Sequence, residues 1–167
     1  DGVAQPPQFH PEGDVLEHTR LLFSRSRCRS QTLALATLLH DVGKPPTFKV
    51  KERIRFDGHA ELGSEMAGTI CRRLRLSNYI VDGVVDLVKD HLRFIHVKEM
   101  RESTLKRFLR KENIDDHLEL HRLDCLASHG DLSNYDFCRK KLLELAEETL
   151  RPARLINGRD LIKLGLE

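Results

Sequence analysis

Apolar residues recur at helical spacing through almost all of this 167-residue chain from Gly13 onward. This spacing gives each segment one apolar face, and such faces are buried by packing against one another. Helices are predicted near 13–25, 30–41, 60–75, 78–92, 102–111, 116–129, 133–150 and 158–164. The Pro- and Gln-rich segment 1–12 is predicted to be extended, and residues 13–167 to form one domain. The predicted fold class is therefore all-α, a compact bundle of helices.

One segment departs from the helical pattern. Between residues 48 and 56, the apolar residues Phe48, Val50, Ile54 and Phe56 alternate with charged ones. A period of two is typical of strands. The pattern predicts a short β-ribbon or an ordered loop near 48–56, lying over a functional site.

The composition is that of a globular protein. Hydrophobic residues make up 40% and charged residues 32%, and the net charge of +2 gives no global preference for nucleic acid. The cysteines lie far apart without a C-x-x-C pair, which favours a reducing, cytoplasmic compartment over a disulfide framework. No apolar run approaches ~18 residues, so no membrane span is predicted. Because the chain starts at Asp1 rather than Met, it is interpreted as a piece of a longer protein.

An adjacent His40-Asp41 pair lies at the end of a predicted helix, just before Gly43 stops it. The last turn of a helix carries partial negative charge, which disfavours a carboxylate by a few tenths to about 1 kcal/mol. Asp41 is therefore poorly placed as a structural residue. It is well placed as a metal ligand, because a divalent cation would offset both negative charges.

Other histidines and acids share the inward faces of their predicted helices. His18 follows Val15 by three residues and His91 follows Val88 by three, so both lie in apolar stripes. Burying an unpaired carboxylate costs several kcal/mol, so Asp124, within an apolar run, needs a cation or hydrogen-bond donors. The candidate metal ligands are His18, His40, Asp41, His59, His91 and Asp124.

Nitrogen and carboxylate ligands in this mixture suit one or two divalent ions of Mn, Ni, Co, Fe, Zn or Mg. One ion would be held by His18, His40, Asp41 and Asp124. A second would be held by His59 and His91, with Asp41 bridging. Such an ion lowers the pKa of bound water toward neutrality and so provides hydroxide to attack phosphorus. Asp41 is expected to act in catalysis, and Lys44 to neutralise charge on a phosphate oxygen.

Other patterns receive weaker interpretations. His117 and His121 lie four residues apart and, with Asp124, form a rival ligand set on one helix. The remaining histidines are interpreted as surface residues: His10, His96 and His129. Basic clusters at 25–29, 72–75, 107–111 and 139–141 are interpreted mostly as solvated helix faces. Aromatic residues are 5% with no Trp, so no stacking platform for bases is evident.

The candidate ligands, taken in order, resemble the HD superfamily of metal-dependent phosphohydrolases, which is named after its His-Asp pair. His18, the His40-Asp41 pair, His59, His91 and Asp124 match its pattern between residues 18 and 124. The resemblance implies a compact helical bundle with divalent-metal-dependent phosphatase or phosphodiesterase activity.

Three segments show a narrower resemblance to the HD region of bacterial tRNA nucleotidyltransferases and poly(A) polymerase-like proteins. They are residues 9–19, 56–63 and 156–161. In that family the HD region follows a nucleotidyltransferase head, which this chain lacks, so nucleotide addition is not expected of it. The resemblance implies phosphoesters of nucleotides or RNA 3′ ends as substrates. It leaves one alternative open, a non-catalytic body that supports the head and contacts tRNA through the basic clusters.

Overall fold

The computed structural model describes residues 2–7, 10–27 and 30–147 of the chain. Its helices are α1 (Val15–Arg25), α2 (Gln31–Leu39), α3 (Lys44–Thr47), α4 (His59–Arg73), α5 (Asn78–Asp90), α6 (Glu102–Leu109), α7 (Ile114–Ala127) and α8 (Ser133–Glu147). A 3₁₀-helical segment, His91–Glu99, connects α5 to α6. The predicted all-α fold is confirmed, while the helix predicted near 158–164 lies outside the described residues.

Side-chain caps explain where the first two helices begin. The Asp14 carboxylate accepts hydrogen bonds from the backbone N–H groups of Leu16 and Glu17, at 2.7 and 3.3 Å. The Ser30 hydroxyl accepts one from the N–H of Leu33, at 3.0 Å. Such caps satisfy donors that have no partner inside the helix. They fix the starts of the two helices that carry His18 and lead to the His40-Asp41 pair.

The turn after α2 packs closely on the start of α4. A Cβ atom at Gly43 would lie 2.1 Å from the carbonyl oxygen of His59 and 2.7 Å from the amide nitrogen of Gly63. Only glycine fits at this distance. The chain then turns into the short α3, which the spacing of apolar residues does not predict. Pro45 stands near its start, where a missing N–H costs no helical hydrogen bond.

Residues 48–56 form the β-ribbon that their alternation predicts. β1 (Lys49–Val50) pairs antiparallel with β2 (Ile54–Arg55), and Lys49 lies opposite Arg55. It is the only sheet in the described part of the chain. The ribbon ends directly before α4 and therefore lies beside the first turn of that helix.

Of the three apolar clusters in the described part of the chain, the smallest packs Leu22 of α1 against Leu123 of α7, and the two larger ones hold most of the other helices together. The larger of these two contains buried side chains of α2, α4, α5 and α7, including Ala36, Ala67 and Val84. The other joins the 3₁₀ segment to α6, α7 and α8 around Phe94 and Phe108, whose ring centroids are 5.0 Å apart. Full burial of each large apolar side chain contributes about 1.5–3 kcal/mol. None of the described helices is both long enough and apolar enough to cross a membrane.

Candidate metal centre

Three of the candidate histidine ligands are oriented by the same kind of local hydrogen bond. In each, Nδ1 faces the backbone carbonyl three residues earlier, at 3.0 Å in His40, 2.8 Å in His59 and 2.6 Å in His91. A proton on Nδ1 is donated to that carbonyl, so the lone pair remains on Nε2. Hydrogen bonds of this kind orient metal-binding imidazoles in proteins.

The Asp41 carboxylate lies at the centre of the histidine rings and is 3% exposed. Its Oδ2 atom is 3.2 Å from Nε2 of His40 and 3.9 Å from Nε2 of His18. Its Oδ1 atom is 3.6 Å from Nε2 of His59 and 3.9 Å from Nε2 of His91. One carboxylate thus faces ring nitrogens from four separate parts of the chain.

His18 connects α1 and α7 at the site. Its ring is fully buried, and Nε2 lies 3.0 Å from Oδ1 of Asp124. Its other nitrogen, Nδ1, lies 2.6 Å from Oε1 of Glu12. The ring centroids of His18 and His40 are 5.4 Å apart. The two ends of the predicted ligand sequence, at residues 18 and 124, therefore meet in space.

Lys44 is buried against the same carboxylate. Its Nζ atom lies 2.7 Å from Oδ2 of Asp41 and donates a hydrogen bond to Oε1 of Gln5, at 2.6 Å. The Lys44 side chain is 7% exposed, so its charge is compensated mainly by Asp41, while Gln5 accepts one of its hydrogen bonds. Its expected contact with phosphate remains a prediction.

Both acids of the site are ionised at neutral pH. Burial opposes ionisation of Asp41, but the charges of His40 and Lys44 outweigh it and hold the pKa of this carboxyl well below its usual range. Burial also opposes ionisation of Asp124, yet contact with His18 and the charge of His40 lower its pKa. Ionised carboxylates are the form that binds metal.

Two histidines are held in the neutral, metal-binding form. Burial, reinforced by the charge of His40, lowers the pKa of His91 to about 4. Burial likewise lowers the pKa of His59, although Asp41 acts in the opposite direction. His40 differs, because the adjacent Asp41 outweighs the effect of burial and raises its pKa. A neutral ring offers a lone pair to a cation, whereas a protonated one cannot.

The atoms of the site fit a divalent cation. Among the described residues, three groups have ligand atoms within 4.8 Å of one another: His18, His40 and Asp124; Asp41, His59 and His91; and, in the N-terminal segment, His10, Glu12 and His18. Several buried atoms here form no hydrogen bond of good geometry, namely both ring nitrogens of His18, Nε2 of His40 and His59, and Oδ2 of Asp41. Buried polar atoms without partners are costly. A cation bound among them would satisfy the Nε2 atoms and the carboxylate together.

The site opens into a cavity of about 950 Å³. Asp41, Lys44, His59, His91 and Asp124 line its floor. Residues from the β-ribbon and from the segment after α7 line it as well: Arg53, Ile54, Arg55, Phe56, Ser128, His129 and Asp131. The cavity is therefore large enough to admit a nucleotide-sized molecule to the candidate ligands.

An N-terminal contribution to the site was not predicted from the sequence. Ala4 makes an antiparallel bridge with Asp14, and this folds the segment back over the start of α1. It brings Gln5 to Lys44, and Glu12 to both His18 and His10. The interpretation of His10 as a surface residue is wrong, because its ring is half-buried and lies 4.9 Å from that of His18. The histidine and the glutamate of the sequence His-Pro-Glu, just before the first helix, are both residue types that bind metals. They could have indicated that this segment contributes to the site.

The rival set on α7 does not come together. His117 Nε2 lies 2.9 Å from Asp86, and the His121 ring stacks on Phe94 with centroids 4.6 Å apart. Neither histidine belongs to a group able to hold a metal among the described residues. Of the other histidines assigned to the surface, His96 is exposed, and His129 is exposed at the rim of the cavity.

Comparison with known proteins gives one family. The HD domain model matches residues 13–127, which includes every candidate ligand. The multifunctional CCA proteins of Legionella pneumophila (strain Paris) and Acinetobacter baumannii (strain SDF) are each 32% identical to this chain over 116 residues. Each match covers 68% of this chain and 28% of the relative. The matched region is thus less than a third of the length of these relatives.

Proposed function

Because the chain belongs to the HD domain family, we propose that it is a divalent-metal-dependent phosphohydrolase acting on phosphoesters of nucleotides or RNA ends. The main support is the set of buried Nε2 atoms without hydrogen-bond partners around the Asp41 carboxylate. A purely structural cluster of this kind would leave polar atoms buried at a cost of about 1–3 kcal/mol each.

In this proposal the six candidate ligands hold one or two ions of Mn, Ni, Co, Fe, Zn or Mg. His18, His40 and Asp124 form one side of the site, and His59 and His91 form the other. Asp41 faces both sides, because its two oxygens approach different rings. A bound divalent ion would supply Lewis acidity and a hydroxide formed from water near neutral pH.

The protein's own groups position the substrate and the charges around it. Asp41 remains ionised, and its two oxygens face the rings of both sides. Lys44 presents a cation at the cavity floor, where it would attract a phosphate oxygen and stabilise negative charge. The Nδ1 bonds of His40, His59 and His91 keep each Nε2 lone pair directed into the site. These orientations exist before any substrate enters, which lowers the cost of reorganisation.

The alternative is a non-catalytic body that supports a nucleotidyltransferase head and contacts tRNA. It draws on the similarity to multifunctional CCA proteins, of which this chain covers 28%. In either case we propose that residues 13–167 are the HD domain of a longer, cytoplasmic protein and that residues 1–12 precede it. The described cysteines, Cys71, Cys125 and Cys138, are free and buried, in keeping with a reducing compartment.

A phosphodiesterase assay tests the proposal. The chain is first stripped of metal and then titrated with Mn, Ni, Co and Mg, and turnover is measured with each ion. Suitable substrates are 2′,3′-cyclic AMP and bis-p-nitrophenyl phosphate. We expect turnover that depends on one of these ions and is lost in His40→Ala and Asp124→Ala. His96→Ala is the matched control, because that ring is exposed and outside the cavity lining. Absence of turnover in a folded, metal-loaded protein would favour the non-catalytic alternative, and unchanged metal content in Asp124→Ala would refute its assignment as a ligand.

A further inference from the structure

The β-ribbon carries a row of cations. Lys49 lies directly opposite Arg55 in the antiparallel pair. Lys51 and Arg53 follow in the turn at the tip of the ribbon, on either side of Glu52, and the N–H of Lys51 donates to the carbonyl of Arg53 at 3.2 Å. Because residues directly opposite each other in an antiparallel pair lie on the same face, Lys49 and Arg55 share one face, and Lys51 and Arg53 continue the row of cations into the turn. We refer to Lys49, Lys51, Arg53 and Arg55 as the cationic face of the ribbon.

Little within the described residues neutralises this face. Lys49, Lys51 and Arg53 form no ion pair there, and Arg55 pairs only with the exposed Asp57, at 3.2 Å. Like charges directly opposite each other in a sheet are destabilising. The ribbon is only two residues long in each strand, so it has few contacts to offset that repulsion. A polyanion bound along the face would remove it.

The cationic face adjoins the candidate metal centre. Arg53 and Arg55 line the same cavity as Asp41 and His59. The Phe56 ring, at the base of the ribbon, lies 6.3 Å from the His59 ring. From that base the ribbon extends roughly 10 Å to its tip, at about 3.3 Å per residue. The cations therefore form a track that leads away from the site.

We propose that this cationic face binds the sugar–phosphate backbone of a single nucleic-acid strand whose terminal phosphoester lies in the cavity. A substrate with a single phosphate would need only Lys44 and the metal ligands to balance its charge. A row of cations outside the metal centre would then have no role in binding it. A strand repeats one negative charge per nucleotide, and a row of positive side chains complements it. The identity of the terminal group rests on the proposed function, but the backbone contact does not.

Two aromatic rings lie at the base of the ribbon, on the face opposite Lys49 and Arg55, where an unpaired base of a strand entering the cavity could stack. The rings of Phe48 and Phe56 lie 5.9 Å apart, and Phe48 is 39% exposed. Grooves for single strands combine cations with aromatic rings on which unpaired bases stack. The low aromatic content of the chain gives no indication of this pair. The two rings are eight positions apart in the sequence and come together only when the ribbon forms.

Binding of a fluorescein-labelled oligoribonucleotide of about ten nucleotides tests the inference in the metal-free protein. Fluorescence anisotropy, measured from about 50 to 200 mM salt, gives both the affinity and its salt dependence. We expect the double variant Lys49→Gln/Lys51→Gln to bind roughly tenfold more weakly at the lowest salt. The slope of log affinity against log salt should become shallower by about 0.7 for each phosphate that is no longer neutralised.

The matched control is Lys89→Gln/Arg101→Gln, which removes two exposed cations that lie outside the cavity lining and outside the basic clusters. It should bind as the unsubstituted chain does. Equal weakening by both double variants, or undetectable binding by the unsubstituted chain at low salt, would overturn the inference. The anisotropy experiment measures binding and does not depend on turnover. Ribbon-dependent binding without phosphodiester hydrolysis would therefore refute the proposed function alone.

Discussion

Oε1 of Glu12 lies 2.6 Å from Nδ1 of His18, and the opposite nitrogen of the same ring lies 3.0 Å from Oδ1 of Asp124. The same Glu12 oxygen lies 2.9 Å from Nδ1 of His10. A carboxylate in this position favours the proton on Nδ1 of His18 and leaves Nε2 free to face the site. Glu12 is therefore placed to orient His18, although this contact lacks the hydrogen-bond geometry that the backbone carbonyls have toward His40, His59 and His91.

Loss of the Glu12 carboxylate should weaken metal binding. We expect Glu12→Ala to lower metal affinity by about 10- to 100-fold, because the His18 ring loses the group that orients it. Glu12→Gln, which keeps an acceptor oxygen, should lose less. Isothermal titration calorimetry measures both, with Glu17→Ala as the control, since Glu17 is exposed and its ion pair is with Arg20, away from the site. Unchanged affinity in Glu12→Ala would show that His18 is oriented without it.

Substitution of Lys44 should separate metal binding from turnover. In Lys44→Met a cation 2.7 Å from Asp41 disappears, so repulsion of a divalent ion falls and metal affinity should rise severalfold. Turnover should nevertheless fall by roughly 100- to 1,000-fold, because the phosphate loses its cation. Lys89→Met, on the exposed face of α5, is the control. A parallel loss of metal affinity and turnover would mean that Lys44 acts mainly by holding the ligands in place.

Gly43 should tolerate no side chain. A Cβ there would overlap the backbone of His59 and Gly63, so Gly43→Ala should lower the free energy of unfolding by about 3 kcal/mol or more. Gly130→Ala is the control, because its φ of +75° is strained for alanine but no atom lies within 4 Å. That variant should lose only about 1 kcal/mol. Urea denaturation compares them, and equal losses would contradict the close approach of the two segments.

A second ion-pair network should make stability depend on pH. Oδ2 of Asp86 lies 2.9 Å from Nε2 of His117, and Lys111 also pairs with Asp86. Hydrogen bonding to His117 outweighs burial and, with Lys111, holds the pKa of Asp86 below its ordinary value of 3.8. A carboxyl whose pKa is lower in the folded state stabilises the protein above the unfolded pKa and loses that effect as pH falls.

Asp86→Asn should therefore be less stable than the unsubstituted chain at pH 6. The difference should shrink as pH falls below about 4, toward the folded pKa. Because the Asp86 side chain is 39% exposed, solvent screening limits the effect to about 1 kcal/mol or less. Urea denaturation with a chelator present, with the exposed Asp82→Asn as control, measures it. A pH-independent difference would contradict the assignment.

The helical spacing of apolar residues predicted which site residues on helices face the interior. His18 and His91 share apolar faces with Val15 and Val88, so burying those faces carries the histidines inward as well. Asp124 follows the same logic on α7, although its side chain stays 25% exposed toward the cavity. The alternation of residues 48–56 predicted the ribbon in the same way.

The remaining parts depend on contacts that no local period encodes. Gln5 and Glu12 reach the site only because the N-terminal segment pairs back on the start of α1. The 3₁₀ segment His91–Glu99 lies where the sequence predicts the end of a helix and a loop, since its weaker pattern gives no clear period. Contacts across long sequence separations are set by the assembled fold.

The position of Asp124 has a consequence for how the protein is made. Its carboxylate meets His18 across more than a hundred residues of chain, so a polypeptide growing on the ribosome lacks this ligand until α7 has emerged. A divalent ion held by the full set would therefore stabilise the finished domain far more than any shorter nascent intermediate.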